Sequence, residues 1–183
     1  MEDIIVHRKI ENILIIDDNE TEVELLKRAF ASNGLNIKLY STSDGIETIK
    51  YLMGEGNYSD RNEFPYPSFI FCDLKMNYGN GFDVLEHIKA NPAWAIIPIV
   101  ILSSSEDPDD VRTAYLLGAS SFIRKPTNAE SLKNLVNTII NYWSFCLIPD
   151  TEKSGKQVIT DSAGKLGEKF PQPMQDNQKR VVQ

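Results

Sequence analysis

Short apolar runs alternate along this chain with segments whose apolar positions recur at helical spacing. The runs that predict strands are 13–16, 37–40, 69–72, 99–102 and 121–124. Apolar positions spaced three or four residues apart follow each run, which is typical of amphipathic helices. Unbroken apolar strands alternating with helices indicate a buried parallel sheet, and right-handed crossovers place helices on both of its faces. The pattern therefore predicts a doubly wound (βα)5 sandwich of three layers.

Polar residues at the predicted helix starts support this order of elements. Asn, Asp, Ser and Thr side chains accept hydrogen bonds from the first free N–H groups of a helix, and a Glu three residues on completes a capping box. The second helix is expected to bury Ile46, Ile49 and Leu52. The predicted starts are Asn19 with Glu22, Ser43, Asn80–Gly81, Asp107–Pro108 and Thr127 with Glu130.

Three further segments do not fit the alternating pattern. Residues 54–67 are rich in turn formers and contain two prolines, so they predict a loop. Residues 150–183 are mostly polar and predict a disordered C-terminal tail. The end of the last helix, Tyr142–Ile148, is apolar all round, which leaves two alternatives open: packing onto the core, or an interface.

Composition and charge exclude two classes of partner. Hydrophobic residues make up 42% of the chain and charged residues 25%, which is typical of a globular protein. No apolar run approaches the roughly 20 residues of a membrane span, and the N-terminus lacks a signal peptide's basic flank. The net charge of −7 argues against nucleic-acid binding. We therefore expect a cytoplasmic protein without membrane or nucleic-acid partners.

Reactive side chains follow four of the five predicted strands. Asp17 and Asp18 follow the first, Asp73 the third, Ser103 the fourth and Lys125 the fifth. Open parallel sheets bind ligands beyond the carboxyl ends of their strands, so these side chains are expected in one crevice. A lone residue of this kind is more often structural, and the aspartate pair fits a helix cap equally well. The coincidence of compatible side chains at four strand ends favours function.

Three carboxylates with a hydroxyl and a lysine suit a hard cation and a phosphoryl group. Mg²⁺ prefers oxygen ligands and usually takes one or two carboxylates together with phosphate. We expect Asp18 and Asp73 to bind it directly, Asp17 through a water, and the backbone carbonyl of Lys75 to complete the shell. Phosphoryl transfer depends on positioning and charge neutralisation. Asp73 then serves as the nucleophile, while Lys125 and the Ser103 hydroxyl bind phosphoryl oxygens.

In their order and spacing, these motifs resemble the receiver domain of two-component response regulators. They read Ile15-Ile16-Asp17-Asp18-Asn19-Glu20, Phe71-Cys72-Asp73-Leu74-Lys75-Met76 with Gly81 downstream, Ile101-Leu102-Ser103-Ser104 and Phe122-Ile123-Arg124-Lys125-Pro126. The resemblance covers residues 10–148. It implies a flavodoxin-like fold with strand order 2-1-3-4-5, and Mg²⁺-dependent transfer of phosphate onto Asp73 from a sensor histidine kinase or a phosphotransfer protein.

The same resemblance implies further roles for individual residues. Ser103 and Phe122 form the conformational switch, the backbone of Ser104 contacts the phosphate, and the Lys125–Pro126 bond is cis. The protein is then a signalling protein and not an enzyme. Its output face comprises the fourth helix, fifth strand and fifth helix, through which we expect a homodimer.

A finer likeness points to stand-alone regulators that are paired with bacterial and cyanobacterial phytochromes. It includes the long loop before the third strand, Asn91-Pro92 with Trp94, and Tyr142-Trp143. This indicates a bacteriophytochrome-type kinase as partner. In many receivers a proline stands where this chain has Asn77, and the chain has Phe122 without a tyrosine hydroxyl.

Two other functions remain to be weighed against the receiver. One is a pseudo-receiver that docks partners without phosphorylation, and the complete set of acids, serine and lysine argues against it. The other is a phosphohydrolase of the haloacid-dehalogenase type. Those enzymes carry the nucleophile after the first strand with a second acid two residues later, whereas Asp73 follows the third strand and is followed by Lys75 at that spacing.

Overall fold

The computed structural model describes residues 10–34, 36–77 and 80–147. Five parallel strands form one sheet in the order β2-β1-β3-β4-β5. The strands are β1 Asn12–Ile16, β2 Lys38–Thr42, β3 Phe69–Cys72, β4 Ile99–Ser103 and β5 Ser121–Arg124. The helices are α1 Glu20–Ser32, α2 Gly45–Met53, α3 Gly81–Ala90, α4 Pro108–Leu116 and α5 Ala129–Ser144. The predicted (βα)5 order and the strand order are both confirmed.

Two separate apolar clusters cover the two faces of the sheet. In β1, Ile13 and Ile15 lie in the cluster that contains the buried residues of α1 and α5. Leu14 and Ile16 lie in the other cluster, with the buried residues of α2, α3 and α4. Side chains alternate between the faces of a strand, so β1 needs apolar residues at consecutive positions to serve both layers. The three-layer prediction is correct for this reason.

Most of the predicted helix starts are confirmed, and two are wrong by one residue. The N-caps are Asn19, Asn80 and Asp107 as predicted, but α2 is capped by Asp44 and α5 by Asn128. The side chains of Asp44 and Asn128 accept from the N–H groups three residues later, at 2.7 and 2.8 Å. Carboxylate and amide oxygens thus act here in place of the predicted Ser43 and Thr127 hydroxyls.

One of the side chains that α2 was predicted to bury is exposed. Leu52 is fully buried, whereas Ile46 is 72% exposed beside a groove between α2 and α3. Position 46 lies in the first turn, where the groove separates it from α3, so helical spacing alone overstated its burial.

The loop predicted at 54–67 contains a short 3₁₀ helix, Gly56–Tyr58, and is pinned to α2. The Arg61 guanidinium donates to the carbonyl oxygens of Tyr51 and Leu52, each at 2.8 Å. These carbonyls belong to the last turn of α2, where helices leave carbonyl groups without partners. The long loop is therefore ordered by capping the helix that precedes it.

At the end of α5, one aromatic side chain packs onto the core and other apolar side chains are exposed. Trp143 packs edge-on against Phe69 of the core at a ring distance of 5.4 Å. Tyr142, Phe145 and Leu147 are 64%, 88% and 63% exposed. The predicted tail at 150–183 and Ile148 lie outside the described residues. Within the described ranges, no helix is long and apolar enough to cross a membrane.

Candidate functional site

The predicted reactive residues meet at the carboxyl end of the sheet. The backbone continues the sheet pairing for one residue past the strands: Asp17 N–H donates to Thr42 O at 3.1 Å, and Asp73 N–H to Ile16 O at 2.8 Å. Lys125 N–H likewise donates to Ser103 O at 2.8 Å. A cavity of about 430 Å³ opens there. Its walls include Asp18, Glu22, Asp73, Lys75, Ser104 and Lys125.

The Lys125 ammonium is the electrostatic centre of the site. Its Nζ lies 2.8 Å from Asp17 Oδ2 and 3.1 Å from Asp73 Oδ2, and it also contacts Glu22 Oε2. Burial by itself disfavours the charged form, but the hydrogen bonds that the ammonium donates to Asp17 and Glu22 outweigh it and raise the pKa of Lys125 above its usual value. The lysine therefore stays protonated and holds acids from three elements together.

Asp17 is the most constrained of the acids. Burial raises the pKa of Asp17 above its usual value, against the opposing effects of the Lys125 ammonium and the Asn19 N–H. That N–H donates to Asp17 Oδ1 at 2.9 Å. The sequence predicted that Glu22 completes a capping box with the backbone N–H of Asn19, and this prediction is wrong. The carboxylate of Asp17 takes that N–H, and Glu22 turns toward Lys125.

Asp73 has one partnered and one unpartnered oxygen. Oδ2 pairs with Lys125, while Oδ1 is buried and has no hydrogen-bond partner among the described residues. A buried carboxylate oxygen without a partner is costly and is found mostly where a ligand, ion or water completes the site. Oδ1 thus marks a position for a further group.

The oxygen-rich donor set fits a hard divalent cation. Asp18 lies in the cavity wall, and its Oδ2 accepts from the Asn77 N–H at 2.5 Å. Across the described part of the chain, no group of three or more His, Cys, Asp or Glu side chains is already arranged around a metal position. The unpartnered Asp73 oxygen and the neighbouring acid suit such a cation by their chemistry, because hard cations prefer carboxylate oxygens.

The three consecutive serines at the end of β4, residues 103–105, have different positions. Ser104 lines the cavity, whereas Ser103 is fully buried. The Ser103 hydroxyl oxygen accepts from the Ser105 N–H at 3.2 Å. The Ser105 hydroxyl donates in turn to Asp110 Oδ2 at 2.5 Å, which ties this loop to α4. Ser103 is thus held beneath the site and away from the cavity wall.

The structure corrects one expectation at the end of β5. The Lys125–Pro126 bond was expected to be cis, but the described residues contain no cis peptide bond. Trans is the lower-energy isomer of an X–Pro bond, by about 0.5–1 kcal/mol. Phe122, the predicted switch aromatic, is half-buried, and its backbone N–H donates to the Tyr115 hydroxyl at 3.3 Å. The edge strand β5 is therefore linked to α4.

The segment after Asp73 folds back so tightly that it requires glycine at position 81. Lys75 and Asn80 form an isolated antiparallel bridge, and the Gly81 N–H donates to Leu74 O at 3.1 Å. A Cβ at position 81 would lie 2.1 Å from the Asp73 carbonyl oxygen. Gly81 thereby keeps α3 against the backbone of the candidate phosphoacceptor.

Sequence reasoning noticed Glu22 and Gly81 but assigned neither to the site. Glu22 lies in the first turn of α1, directly after the strand end that carries Asp17 and Asp18, and this nearness in sequence is the available signal. For Gly81 the signal was its place directly after the N-cap Asn80, where glycine has no conformational advantage over alanine. A close backbone approach is the remaining explanation.

An aspartate, an acidic pair and a lysine at the carboxyl edge of a 2-1-3-4-5 parallel sheet define the class of receiver domains. Residues 13–137 match the family model described as the response regulator receiver domain, and the chain belongs to that family. It is accordingly a response regulator of two-component signalling.

Two curated relatives align over most of the chain. One is the response regulator Rcp1 of Synechocystis sp., 29% identical over 72% of this chain and 87% of the relative. Another is the probable methanogenesis regulatory protein FilR2 of Methanothrix harundinacea, 33% identical over 72% of this chain and 82% of the relative.

Solved structures give the same result for the fold. The phosphorylated cyanobacterial phytochrome response regulator RcpA superposes with a TM-score of 0.71 at 30% identity, over 76% of this chain and 99% of its own. The response regulator RPA3017, from red light signalling of R. palustris, superposes with a TM-score of 0.73 at 25% identity, over 77% of this chain and 99% of its own. The chain is thus close to phytochrome-associated response regulators in both sequence and structure.

Proposed function

We propose that Asp73 accepts a phosphoryl group from a phosphohistidine of a sensor histidine kinase, or of a phosphotransfer protein, in a Mg²⁺-dependent reaction. The observation that carries this proposal is the pair of Asp73 oxygens. One oxygen pairs with Lys125 at 3.1 Å, and the other is buried beside the cavity with no hydrogen-bond partner in the described part of the chain. A nucleophilic carboxylate needs one free oxygen and a fixed orientation, and Asp73 has both.

In the transfer, a carboxylate oxygen of Asp73 attacks phosphorus and forms the new P–O bond. The P–N bond to the donor histidine breaks, and its electron pair stays on the imidazole nitrogen, which is protonated from water. The Lys125 ammonium binds one phosphoryl oxygen, and the Ser104 backbone N–H binds another. When bound, Mg²⁺ is held by Asp18, Asp73 and the Lys75 carbonyl with Asp17 behind a water, and it neutralises charge on the phosphoryl oxygens.

The signal is proposed to leave the site through Ser103 and Phe122. The Ser103 hydroxyl accepts from the Ser105 N–H, so its own proton is free to be donated to a phosphoryl oxygen. Movement of Ser103 toward the phosphoryl group pulls on the loop that Ser105 ties to α4. Inward rotation of the half-buried Phe122 accompanies it. To reverse a 1:99 equilibrium between the inactive and active conformations, phosphorylation must stabilise the active one by roughly 5.5 kcal/mol more than the inactive one.

The protein is proposed to act as a signalling protein whose own chemistry is limited to self-catalysed phosphorylation and slow loss of phosphate. We assign residues 10–148 to the receiver domain and place the protein in the cytoplasm, where a histidine kinase presents its phosphohistidine. A kinase of the bacteriophytochrome type is supported by the similarity to RcpA, a cyanobacterial phytochrome response regulator, and to the R. palustris regulator of red light signalling.

Intact-mass measurement tests the phosphoacceptor. Incubation with acetyl phosphate and Mg²⁺ is expected to add one phosphate to the wild type and none to Asp73→Asn, because the amide is not a nucleophile toward phosphorus. The adduct should be lost in base. An unmodified wild type contradicts the proposal and favours the phosphorylation-independent docking module. A modified Asp73→Asn contradicts it by showing that another residue accepts the phosphate.

The exposed apolar side chains on α4 and at the end of α5 support a homodimer through α4, β5 and α5. Leu116 is 77% exposed and Phe145 88%, values that are unusual for large apolar side chains on a solvated surface. Sedimentation of the wild type at tens of micromolar, with and without the phosphorylating mixture, is expected to show a dimer in at least the phosphorylated sample. Phe145→Ser should shift it toward monomer, and an unchanged monomer in both wild-type samples contradicts this assembly.

A further inference from the structure

The Lys125 ammonium already has three carboxylate neighbours: it donates hydrogen bonds to Asp17 and Glu22 and forms an ion pair with Asp73. A lysine offers three N–H groups, and here three carboxylates, those of Asp17, Glu22 and Asp73, surround Nζ. Binding of a phosphoryl oxygen therefore requires that one carboxylate be released. The identity of that carboxylate follows from burial and from the other contacts of each acid.

Glu22 is the partner that is most easily released. Its side chain is 41% exposed, whereas those of Asp17 and Asp73 are each 8% exposed. Asp17 is also fixed by the Asn19 N–H at 2.9 Å, and Asp73 carries the phosphoryl group itself. The other oxygen of Glu22 has only a 3.3 Å contact from the Asn19 side-chain amide. A half-exposed carboxylate regains water when it leaves the lysine, so its release costs least.

The charge of Glu22 also opposes the incoming group. Glu22 lines the same cavity as Asp18, Asp73 and Lys125. Phosphorylation adds negative charge to a site where three carboxylates already share one lysine and a fourth, that of Asp18, lies in the cavity wall. A carboxylate that both occupies the lysine and repels the phosphoryl group disfavours the phosphorylated state twice.

We propose that Glu22 is a positioning residue that holds the Lys125 ammonium in the unphosphorylated protein and is displaced from it by the phosphoryl group. This inference rests on the proposed function of Asp73. It assigns to Glu22 the control of how readily the site accepts a phosphoryl group and of how long it keeps one. A receiver with an acidic residue at this position is then expected to have a lower affinity for a phosphoryl group than a receiver with a neutral residue there.

The test compares Glu22→Gln with Glu20→Gln in the full chain. Glu20 lines the same cavity on the same first turn of α1, and among the described residues its side chain makes no ion pair or hydrogen bond. Both variants remove one negative charge, and only Glu22→Gln removes a partner of Lys125. Binding of beryllofluoride, a tetrahedral mimic of the phosphoryl group, is measured by titration calorimetry at saturating Mg²⁺.

Glu22→Gln is expected to bind beryllofluoride about five- to tenfold more tightly than the wild type, and Glu20→Gln within about twofold of it. In the metal-free protein, the side-chain ¹⁵N resonance of Lys125 should move in Glu22→Gln and stay in place in Glu20→Gln. A purely structural role for Glu22 would leave the affinity unchanged or weaken it, and this result overturns the inference.

Two further outcomes separate this inference from the function on which it rests. Equal gains in the two variants mean that long-range charge alone acts, and they overturn the positioning role while Asp73 remains the acceptor. A wild type that binds no beryllofluoride in the presence of Mg²⁺ contradicts the proposed function itself, and with it the role of Glu22.

Discussion

Gly81→Ala is expected to lower the free energy of unfolding by about 3 kcal/mol, the upper range for overpacking a tight interior site. The added Cβ would lie 2.1 Å from the Asp73 carbonyl oxygen and 2.6 Å from Leu74 Cα. Both atoms belong to the backbone, so no side-chain rotation relieves the contact. Either the first turn of α3 or the segment after β3 must move.

The same substitution is expected to slow phosphorylation by acetyl phosphate about tenfold or more, because displacement of a reacting group by a fraction of an ångström is costly. The displaced backbone carries the Asp73 carboxylate. Urea denaturation measures the change in stability, and the initial rate of mass increase measures the change in phosphorylation.

Gly45→Ala is the matched control for this substitution. Gly45 is likewise the first residue of a helix after its N-cap, and its Cβ would meet Val84 Cγ2 at 2.9 Å. That contact is with a side-chain methyl group, which can shift. We expect a loss of about 1 kcal/mol or less and a normal phosphorylation rate. Equal effects of the two alanines would contradict the close approach of α3 to Asp73.

Lys125→Met is expected to destabilise the metal-free protein at pH 7 by about 2–4 kcal/mol, since removal of one partner leaves buried charge uncompensated. The methionine keeps most of the side-chain volume but leaves the carboxylates of Asp17, Glu22 and Asp73 without their cation. Saturating Mg²⁺ should restore part of the loss, because another cation then neutralises the acids. Urea denaturation with and without chelator measures both effects.

The pH dependence of this variant has a definite sign. The pKa of Asp17 is already raised by burial, and the Lys125 hydrogen bond opposes that rise. Without the lysine the pKa of Asp17 rises further. A carboxyl group whose pKa is higher in the folded state stabilises the protein below its unfolded pKa and loses this contribution as the pH rises through the folded value. The difference in the free energy of unfolding between Lys125→Met and the wild type should therefore be small near pH 4 and grow toward pH 7.

Lys89→Met provides the comparison for a buried lysine that has no carboxylate partner within the described ranges. The Lys89 ammonium donates to the carbonyl oxygens of Ala95 and Ile97, each at 2.8 Å, and burial lowers the pKa of Lys89 to about 8. Below that pH Lys89 is protonated in both the folded and the unfolded protein. Its removal should therefore lower the free energy of unfolding by the same amount at pH 4 and pH 7. A loss of stability in Lys125→Met that is the same at pH 4 and pH 7, as expected for Lys89→Met, would contradict the electrostatic account of the site.

The candidate site could be anticipated from sequence to the extent that its residues follow strands. Asp17, Asp73 and Lys125 each come directly after an apolar run, and parallel topology brings such positions to one edge. The Glu22 contact could not be anticipated in the same way. The spacing of Glu22 from Asn19 equally predicts a capping box, in which Glu22 would accept from the Asn19 N–H. In the structure Asp17 accepts from that N–H at 2.9 Å, which leaves Glu22 to pair with Lys125.

Helix boundaries show the same limit on a smaller scale. Ser43 and Asp44 are both acceptable N-caps, as are Thr127 and Asn128, and a one-residue choice depends on which oxygen reaches an N–H group. Ile46 has the spacing of a core residue and is 72% exposed, because burial also requires a neighbouring element to cover that turn.

The sequence by itself determined the order of elements, the two-sided burial of the sheet and the acids, serine and lysine at its carboxyl edge. Those features depend on local periodicity and on the fixed geometry of parallel strands. Only the tertiary structure decided that Lys125 has three carboxylate partners, that one oxygen of Asp73 has no hydrogen-bond partner among the described residues and that Gly81 lies against the Asp73 backbone. Such contacts join side chains and backbone from different elements, and their distances depend on how helices pack onto the sheet.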